Sequence, residues 1–514
     1  MRVGIYNRWL ATLGGGERYS LAVAEYISRQ YSVDVITHKS VPKDSAAKRL
    51  NLDLSRVEFV TIPERHAIEI SPVSADYDLF INTSFMDFFP SFAKKNISII
   101  YFPAKLNRKV IAKRKVKLLA RKWLKLPALI AGIHSFDNSG STFLWVTDTV
   151  VKICLPTSIF PYVVKFDLCA KDKNVTKANI FLNAQRISSI TFPGLDEYVP
   201  CEVPIPRSKQ KTSYELTIQV DNDVEPDGNA KIGIKQLWLS LPQFRIYQVL
   251  FERWQKDWGT RLQYYPPGSS ILEYIDTYDS IWAISEFSKK WIKQYWLRDS
   301  EVLYPPVNIE DFQTKEKRQQ ILSVGRFFAG QHNKKHQELI AAFKEMVDRG
   351  LTDWELHLAG GKTPGDEHET YLANVHESSK GYPIIIHPDI PFQQLVDLYE
   401  ESAIYWHASG YGEDEKQDPV KFEHFGITTV EAMAAGCVPI VIGKGGQPEI
   451  VEHGKNGFLW QSLEELQNLT IQLIRDPSLR NSMAVTATQD SKRYGKIHFH
   501  THLNELLRKI EFPI

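Results

Sequence analysis

Two glutamates separated by seven residues, Glu423 and Glu431, are the side chains with the clearest potential for chemistry. The glycine-containing segment between them leads into an alanine-rich stretch, which predicts a loop and then a short helix that ends at Gly436. Thr428 or Thr429 can cap that helix, and its first N–H groups carry the partial positive charge that suits a phosphate. One carboxylate precedes the turn and the other lies inside the helix, so we expect different tasks for them. An ordinary loop with solvated acids is the alternative.

Two basic residues, Arg326 and Lys334, have the positions that a phosphate-binding pair requires. Arg326 follows the apolar run 321–324, which predicts a strand, and open α/β sheets bind ligands at the carboxyl ends of their strands. Lys334 comes just before a predicted helix, and the adjacent Lys335 is an alternative for the same task. Arginine offers a planar fork and lysine a point charge, so together they can neutralise a diphosphate. A solvated basic loop is the other interpretation.

The segment that contains both glutamates resembles the donor-binding signature of family 4, a large family of retaining glycosyltransferases with two Rossmann domains (the GT-B fold). That family carries Glu-x7-Glu, an alanine-rich helix and a Gly-Gly-x-x-Glu loop, which Glu423, Glu431 and the run 445–449 match. Its Gly-Arg…Lys pattern before a Leu-Ile-x-Ala-Phe helix matches Arg326 and Lys334.

The resemblance implies a task for each matched position. Glu431 would hold the ribose hydroxyls of a nucleotide sugar, and Glu423 would contact the donor sugar near its reacting carbon. Arg326 and Lys334 would stabilise the leaving diphosphate, so these two residues and Glu423 are the expected catalytic residues. The remaining donor contacts would come from backbone groups, one hydroxyl and a glycine turn in the first domain: Gly14, Gly15, Phe425, Gly426, Ile427 and Thr428.

One position departs from the family pattern. Where many members have a histidine that contacts the donor sugar, the run 99–103 has Tyr101. Tyr101 can donate a hydrogen bond to the sugar, or it can be a packed aromatic residue; His66 and His134 are alternatives without a positional argument. The acid of the Gly-Gly-x-x-Glu loop, Glu449, is often simply structural in the family.

Length and hydrophobic patterning predict several domains. A chain of 514 residues exceeds one compact core, and apolar runs that alternate with helical segments predict parallel sheets towards both ends. Short strand-like runs between the two predict an inserted antiparallel β-sandwich. The expected divisions are an N-terminal Rossmann-like, acceptor-side domain (1–132 and 241–306), the insert (133–240), a C-terminal Rossmann-like, donor-binding domain (307–493) and a helix that crosses back (494–514).

Acidic residues in the insert raise the question of a metal site. Asp221 and Asp223 form the Asp-x-Asp string of many metal-dependent glycosyltransferases, and Asp223, Glu225 and Asp227 begin like a calcium loop. The twelfth position of that loop is Ile234 instead of glutamate, so a polar turn is the better interpretation. The cysteines also lack metal-ligand spacing. We therefore expect neither a metal nor another cofactor, because the cationic groups can replace a metal.

A strongly basic segment occupies residues 105–126, with ten lysines and arginines and no acid. Its apolar residues share one face of a predicted helix, and such helices lie on anionic bilayers with tryptophan at the interface. A solvated helix over the core and a patch for an anionic polymer are the alternatives. The residues expected to form the membrane or acceptor surface are Lys113, Arg114, Lys117, Arg121 and Trp123.

These features predict a retaining, metal-independent glycosyltransferase that moves a hexose from a UDP- or GDP-linked sugar to a hydroxyl of a glycan or lipid-linked glycan. Within the family, the motifs are most similar to those of lipid-linked-oligosaccharide mannosyltransferases and their bacterial relatives. Because no apolar run is long enough to span a bilayer and no signal peptide is evident, we expect a cytoplasmic protein, peripheral at the inner face of the membrane, that binds no nucleic acid.

Two other functions are compatible with parts of the sequence. A catalytically impaired relative could bind carbohydrate through the β-insert, an idea motivated by Tyr101. A dinucleotide-dependent oxidoreductase could use the glycine turn at 14–16, but the Gly-x-Gly-x-x-Gly spacing is missing there.

Overall fold

The chain folds around two parallel β-sheets and a pair of smaller antiparallel sheets. The computed structural model describes residues 1–64, 70–74, 76–89, 91, 93–106, 111, 143–146, 150–155, 161–207, 214–220, 231–240, 274–275 and 278–513.

The strands are β1 (Arg2–Tyr6), β2 (Ser32–Thr37), β3 (Val57–Thr61), β4 (Leu79–Asn82), β5 (Lys95–Ile100), β6 (Phe143–Val146), β7 (Val150–Leu155), β8 (Tyr162–Ala170), β9 (Lys177–Leu182), β10 (Gln185–Thr191), β11 (Val199–Ile205), β12 (Tyr214–Val220), β13 (Ile232–Ser240), β14 (Ser280–Ala283), β15 (Glu301–Val302), β16 (Arg318–Val324), β17 (Glu355–Gly360), β18 (Ile384–Pro388), β19 (Ser402–His407), β20 (Val438–Ile442) and β21 (Phe458–Trp460). The α-helices are α1 (Gly15–Ile27), α2 (Lys43–Leu50), α3 (Ser71–Ser74), α4 (Glu286–Trp296), α5 (His336–Asp348), α6 (Asp366–Ser379), α7 (Phe392–Glu401), α8 (Ile427–Ala434), α9 (Gln447–Ile450), α10 (Leu463–Arg475), α11 (Pro477–Ser491) and α12 (Lys496–Lys509).

The two parallel sheets have the same strand order when one of them is read in the opposite direction, and the N-terminal sheet adds a seventh strand at one edge. The N-terminal sheet runs β15-β14-β5-β4-β1-β2-β3, and the C-terminal sheet runs β18-β17-β16-β19-β20-β21. In each sheet the order reverses beside the first strand, between β1 and β4 and between β16 and β19. Open α/β sheets bind ligands outside the carboxyl ends of the strands at this reversal, so the fold itself marks two candidate positions.

The central strands consist of apolar residues because both of their faces are covered. Four of the five residues of β1 are buried, and so are all five of β20. Parallel sheets that are covered on both faces have such continuous apolar strands instead of alternating ones. This patterning explains why the sequence predicts these strands well.

The region between the halves of the N-terminal domain contains two four-stranded antiparallel sheets. Their orders are β10-β9-β12-β7 and β11-β8-β13-β6. Buried residues of both sheets belong to one hydrophobic cluster, including Leu216 and Ile218 from the first sheet and Val164 and Phe166 from the second. The predicted antiparallel sheets therefore exist, and they share a core.

The C-terminal helix returns to the N-terminal domain. On α12, the ring of Phe499 lies 5.8 Å from that of Tyr19, and His500 stacks on Tyr26 at 4.3 Å. Both tyrosines belong to α1, the helix that follows the glycine turn. Helix α12 thus links the C-terminal part of the chain to α1, which begins at Gly15 of the glycine turn.

Several sequence-based expectations lie outside the described residues. They concern the domain boundaries near 132 and 241, which stay predictions, and the following side chains: His66, Lys113, Arg114, Lys117, Arg121, Trp123, His134, Asp221, Asp223, Glu225 and Asp227. None of the helices within the described ranges is both long and apolar enough to cross a bilayer.

Candidate active site

The glycine turn of the N-terminal domain lies directly against the start of helix α8 in the C-terminal domain. A Cβ atom built on Gly15 would come within 3.2 Å of Ile427 Cδ1. A side chain at this position would therefore press on the opposite domain. The structure therefore brings the two predicted donor-binding segments together.

Helix α8 is capped differently from the prediction. Its N-cap is Gly426, which has a φ of +119°, so Thr428 and Thr429 lie within the helix and do not cap it. A Cβ on Gly426 would come 2.5 Å from Gln447 Nε2, which excludes a side chain there. Thr429 instead donates a hydrogen bond to Gln447 Oε1 (2.9 Å), and Thr428 accepts one from Tyr405 (2.7 Å). The N–H groups at the start of α8 still have no hydrogen-bond acceptor within the helix.

Glu423 is held by two basic groups, one from the loop between β16 and α5 and one from the end of β19. Lys334 Nζ donates to Glu423 Oε2 at 2.5 Å, and His407 Nε2 lies 3.1 Å from the same oxygen. The backbone of Gly325 makes room for the lysine, because a Cβ there would come 2.4 Å from Lys334 Cγ. Lys334 follows β16 and His407 ends β19, so the cluster forms at the reversal point of the sheet.

The charges in this cluster follow from its contacts. Burial acts to raise the pKa of Glu423, but the charge of Lys334 and the hydrogen bonds from His407 and Lys334 hold that pKa well below its usual range. Burial lowers the pKa of His407, and the nearby carboxylate offsets this only in part. The site therefore contains an anionic carboxylate, a cationic lysine and a neutral imidazole.

The neighbouring lysine is used elsewhere. Lys335 Nζ lies 3.0 Å from Glu413 Oε1, and Lys421 binds the other oxygen of that carboxylate at 2.8 Å. Of the two adjacent lysines, Lys334 is thus the one that faces Glu423.

Arg326 lies at the end of β16 with its side chain exposed. Its guanidinium carbon is 5.6 Å from the centre of the Phe328 ring. Arg326 forms no ion pair with any residue in the described ranges. A guanidinium that keeps its N–H groups available at a strand end is suited to an anionic ligand.

Glu431 sits in a different environment. Tyr399 donates to its Oε2 at 3.0 Å, and Arg18 Nη1 of the N-terminal domain lies 3.7 Å from its Oε1. Burial raises the pKa of Glu431, while Arg18 and Tyr399 act to lower it. This carboxylate is therefore easier to protonate than that of Glu423.

Tyr101 has a packing role in this conformation. Its hydroxyl donates to the carbonyl of Gly16 at 2.8 Å, and its ring lies 6.2 Å from that of Tyr19 and 6.3 Å from that of Phe85. Tyr101 thereby supports the glycine turn through its hydrogen bond to Gly16. A direct contact between Tyr101 and a donor sugar stays a prediction.

Glu449 joins the two domains. Its carboxylate accepts hydrogen bonds of 2.7 Å from the backbone N–H groups of Glu286 and Phe287, the first residues of α4, and one of 3.0 Å from Tyr304. The side chain of Phe425 is buried beside Tyr304, with ring centres 5.4 Å apart. These side chains are structural, and only the backbone of Phe425 remains for ligand contacts.

The sequence did not single out Arg18, Tyr399 or His407 for a role. His407 is recognisable as a polar residue at a strand end, and Arg18 as the first basic residue after the glycine turn. No comparable signal marks Tyr399, which lies on α7 far from both glutamates in sequence. Within the described ranges, no three histidine, cysteine, aspartate or glutamate side chains come together as a metal site.

The C-terminal part of the chain contains a domain of known family. Residues 306–490 match the family model of glycosyl transferases group 1. This domain includes Arg326, Lys334, Glu423 and Glu431, so the family resemblance predicted from these residues is confirmed.

Curated relatives are mannosyltransferases. The chain is 26% identical over 243 residues to GDP-Man:Man(3)GlcNAc(2)-PP-Dol alpha-1,2-mannosyltransferase from Caenorhabditis elegans, which covers 44% of this chain and 49% of that protein. It is 27% identical over 247 residues to human alpha-1,3/1,6-mannosyltransferase ALG2, and the match covers 42% of this chain and 55% of that protein. The chain spans about half the length of the curated relatives it matches.

Solved structures of glycosyltransferases share the fold. HepE from Anabaena in complex with UDP-glucose aligns with a TM-score of 0.52 and 12% identity over 99% of this chain and 100% of that chain. Sucrose-phosphate synthase from Thermosynechococcus elongatus aligns with a TM-score of 0.52 and 12% identity, covering 99% of each chain. The predicted α/β, GT-B-like fold with two Rossmann-like halves is thereby confirmed.

Proposed function

We propose that this chain, whose residues 306–490 form a glycosyl transferases group 1 domain, is a retaining, metal-independent glycosyltransferase of family 4. It moves a hexose from a nucleotide sugar to a hydroxyl of a glycan or lipid-linked glycan. The observation that carries this proposal is the Lys334–Glu423–His407 cluster at the strand reversal of the C-terminal sheet. Helix α8 starts four residues after Glu423, and its first residue, Ile427, lies against Gly15 of the N-terminal glycine turn.

The reaction requires charge stabilisation at two places. The bond between the anomeric carbon and the diphosphate breaks with its electron pair on the diphosphate, and the acceptor oxygen bonds to that carbon from the same face and gives its proton to the departing diphosphate. Arg326, Lys334 and the N-terminus of α8 stabilise the negative charge on the diphosphate. The Glu423 carboxylate lies against Lys334 and stabilises the positive charge that develops on the sugar. Cationic side chains thus take the place of a metal.

GDP-mannose is the proposed donor, and a lipid-linked oligosaccharide is the proposed acceptor. The names of the relatives from Caenorhabditis elegans and human both support mannose as the sugar, and the first of them also names GDP-Man and the acceptor Man(3)GlcNAc(2)-PP-Dol. Glu431 is proposed to accept hydrogen bonds from the ribose hydroxyls. UDP-linked sugars are the alternative donors.

The acceptor is proposed to bind at the reversal point of the N-terminal sheet. Trp9, which follows β1, is 49% exposed, and Phe85 and Met86, which follow β4, are 39% and 51% exposed. The indole of Trp9 donates to the carbonyl of Phe85 at 3.1 Å, which fixes the two loops together. Exposed aromatic and thioether side chains beside the donor cleft suit the apolar faces of sugar rings or a lipid.

The antiparallel sheets are proposed to form the predicted β-sandwich, and the basic segment 105–126 to hold the protein at the inner, cytoplasmic face of an anionic membrane. The alternative of an inactive carbohydrate-binding protein is not favoured by a particular contact. That alternative rests on Tyr101 at the position of the family histidine. The hydrogen bond from Tyr101 to Gly16 gives Tyr101 a structural role instead.

Donor turnover tests the proposal. The purified protein is incubated with GDP-mannose or UDP-glucose and a lipid-linked oligosaccharide in detergent, with and without EDTA, and nucleoside diphosphate release is measured. We expect turnover of GDP-mannose that EDTA leaves unchanged, and a product whose new linkage has the anomeric configuration of the donor. Failure to hydrolyse or transfer either sugar would refute the proposal, and an inverted linkage or loss of activity in EDTA would refute its retaining or metal-independent part.

A further inference from the structure

Arg18 crosses from one domain to the other. It lies in the first turn of α1, directly after the glycine turn, and its guanidinium reaches Glu431 of the opposite domain, with Nη1 3.7 Å from Oε1. Both side chains are largely buried, at 13% and 12% exposure. An arginine so placed belongs to the cleft and not to the outer surface.

The guanidinium of Arg18 is incompletely satisfied. Its Nη2 is buried and finds no hydrogen-bond partner in the described part of the chain. The 3.7 Å separation from Glu431 is also longer than a hydrogen bond. A buried N–H group of a cation without a hydrogen-bond partner is costly, and native structures retain such a group where a ligand or a special task explains it. The unpaired nitrogen therefore points to a ligand oxygen in the cleft.

The position of Glu431 identifies the kind of ligand. In the proposed function, which this inference takes as its basis, Glu431 accepts the ribose hydroxyls of the donor nucleotide. A nucleotide held there would offer ribose and phosphate oxygens as acceptors for Arg18 Nη2. We propose that Arg18 is a side-chain contact of the N-terminal domain with the donor nucleotide, pairing with Glu431 through Nη1 and binding a nucleotide oxygen through Nη2.

This assignment couples domain closure to donor binding. Gly15, three residues before Arg18, lies against Ile427 at the start of α8. Moving the N-terminal domain away would withdraw Arg18 from Glu431 as well. A bound nucleotide joins the two residues and stabilises the closed arrangement by its binding energy.

Nucleotide affinity then has a characteristic dependence on pH. The groups that face Glu431 are Arg18 from α1, Tyr399 from α7, Tyr405 from β19 and Asp311 from the turn before β16. Arg18 acts to lower the pKa of Glu431, and Asp311 acts to raise it. Without Arg18 the pKa of Glu431 rises further, so its carboxylate becomes protonated, and stops accepting ribose hydroxyls, at a higher pH than in the wild type.

The test uses the full chain and GDP-mannose as the probe, because a sugar diphosphate has no phosphate group that titrates near neutral pH. Affinity is measured by calorimetry between about pH 5 and 8 for the wild type, Arg18→Met, Arg18→Lys and Arg29→Met. Arg29 follows the same helix, is exposed and serves as the matched control. Thermal melts verify that each variant is folded.

We expect Arg18→Met to weaken binding about tenfold or more and to shift the loss of affinity on acidification to higher pH. Arg18→Lys should restore the wild-type pH profile in part, and Arg29→Met should change neither property. A folded Arg18→Met protein with the affinity and pH profile of the wild type would overturn this inference alone. A wild type that binds neither GDP-mannose nor UDP-glucose would overturn the proposed function together with it.

Discussion

Glu423 and Glu431 differ in their environments although they are the same residue type, separated by seven residues, in one loop and helix. Glu423 contacts Lys334 at 2.5 Å and His407 at 3.1 Å, and its pKa is held well below the usual range. Glu431 has its nearest cation, Arg18, at 3.7 Å, and burial raises its pKa. The first carboxylate is anionic throughout the physiological range, and the second is closer to titration.

The difference shows how distance to a cation decides the state of a buried carboxylate. The Coulomb attraction grows as the separation shrinks, while burial penalises the charged form of both residues. Lys334 comes from the same domain as Glu423, so its contact does not depend on domain closure. Arg18 comes from the opposite domain, so the state of Glu431 depends on the arrangement of both halves.

The largest expected effect comes from removing the cation beside Glu423. Lys334→Met should lower kcat for sugar transfer by about 10²–10³-fold, because the leaving diphosphate loses a fixed positive charge. Steady-state kinetics with GDP-mannose measure this effect. Lys335→Met is the matched control, since Lys335 pairs with Glu413 and should change kcat little. Equal losses in the two variants would show that the effect is not specific to the cluster.

The next effect separates the two glutamates by pH. Glu431→Gln should weaken GDP-mannose binding by about tenfold to a hundredfold at neutral pH, because an amide accepts hydrogen bonds from hydroxyl groups less strongly than a carboxylate. As the pH falls through the raised pKa of Glu431, the wild type should lose affinity while the variant does not. Calorimetry across the pH range tests this, and an acid loss of equal size in both proteins would assign the titration to another group.

A smaller effect is expected at the imidazole. His407→Phe removes the hydrogen bond of 3.1 Å to Glu423 and leaves the lysine contact in place. We expect a loss of about tenfold in kcat, with the folded state retained. His387→Phe, on the edge strand β18, is the control and should leave kcat unchanged. An unaltered kcat in His407→Phe would leave Lys334 as the only basic group of the cluster that matters.

The smallest effect concerns a third carboxylate, which serves as a structural reference for the other two. Glu449→Ala should destabilise the fold by about 1–2 kcal/mol, because the first N–H groups of α4 lose their acceptor. Denaturant unfolding measures this, with the exposed Glu452→Ala as control. The KM for GDP-mannose, measured with the folded variant, should change little. A large loss of activity without a loss of stability would show that Glu449 binds the ligand instead of stabilising the fold.

Much of the C-terminal site is predictable from sequence because its residues belong to short local motifs in a domain with apolar strands. Lys334 and Glu423 are matched by local motifs, and the strand 321–324 is apolar enough to be predicted as buried. Arg18 is different, because its importance depends on a contact between residues more than four hundred positions apart. Local patterns contain no information about which side chain of one domain reaches the other.

The insert shows a second limit of prediction. Strand β11 contains Pro200 and Pro204, which cannot donate ladder hydrogen bonds, and it lies at a sheet edge, where proline is tolerated. Strand β10 is polar and mostly exposed, and it is also an edge strand. Strand β10 lacks the apolar alternation by which the other strands of the insert are predicted. Strand β11 has buried residues at alternate positions, but prolines occupy two of the exposed positions between them. Strands β10 and β11 are therefore the part of the insert that the sequence does not reveal.

The most direct test of the central claim is a crystal structure of the protein with GDP-mannose. We predict diphosphate oxygens within hydrogen-bonding distance of Arg326, Lys334 and the first N–H groups of α8, with the ribose hydroxyls on Glu431. A nucleotide bound elsewhere, or a diphosphate that contacts none of these groups, would contradict the account.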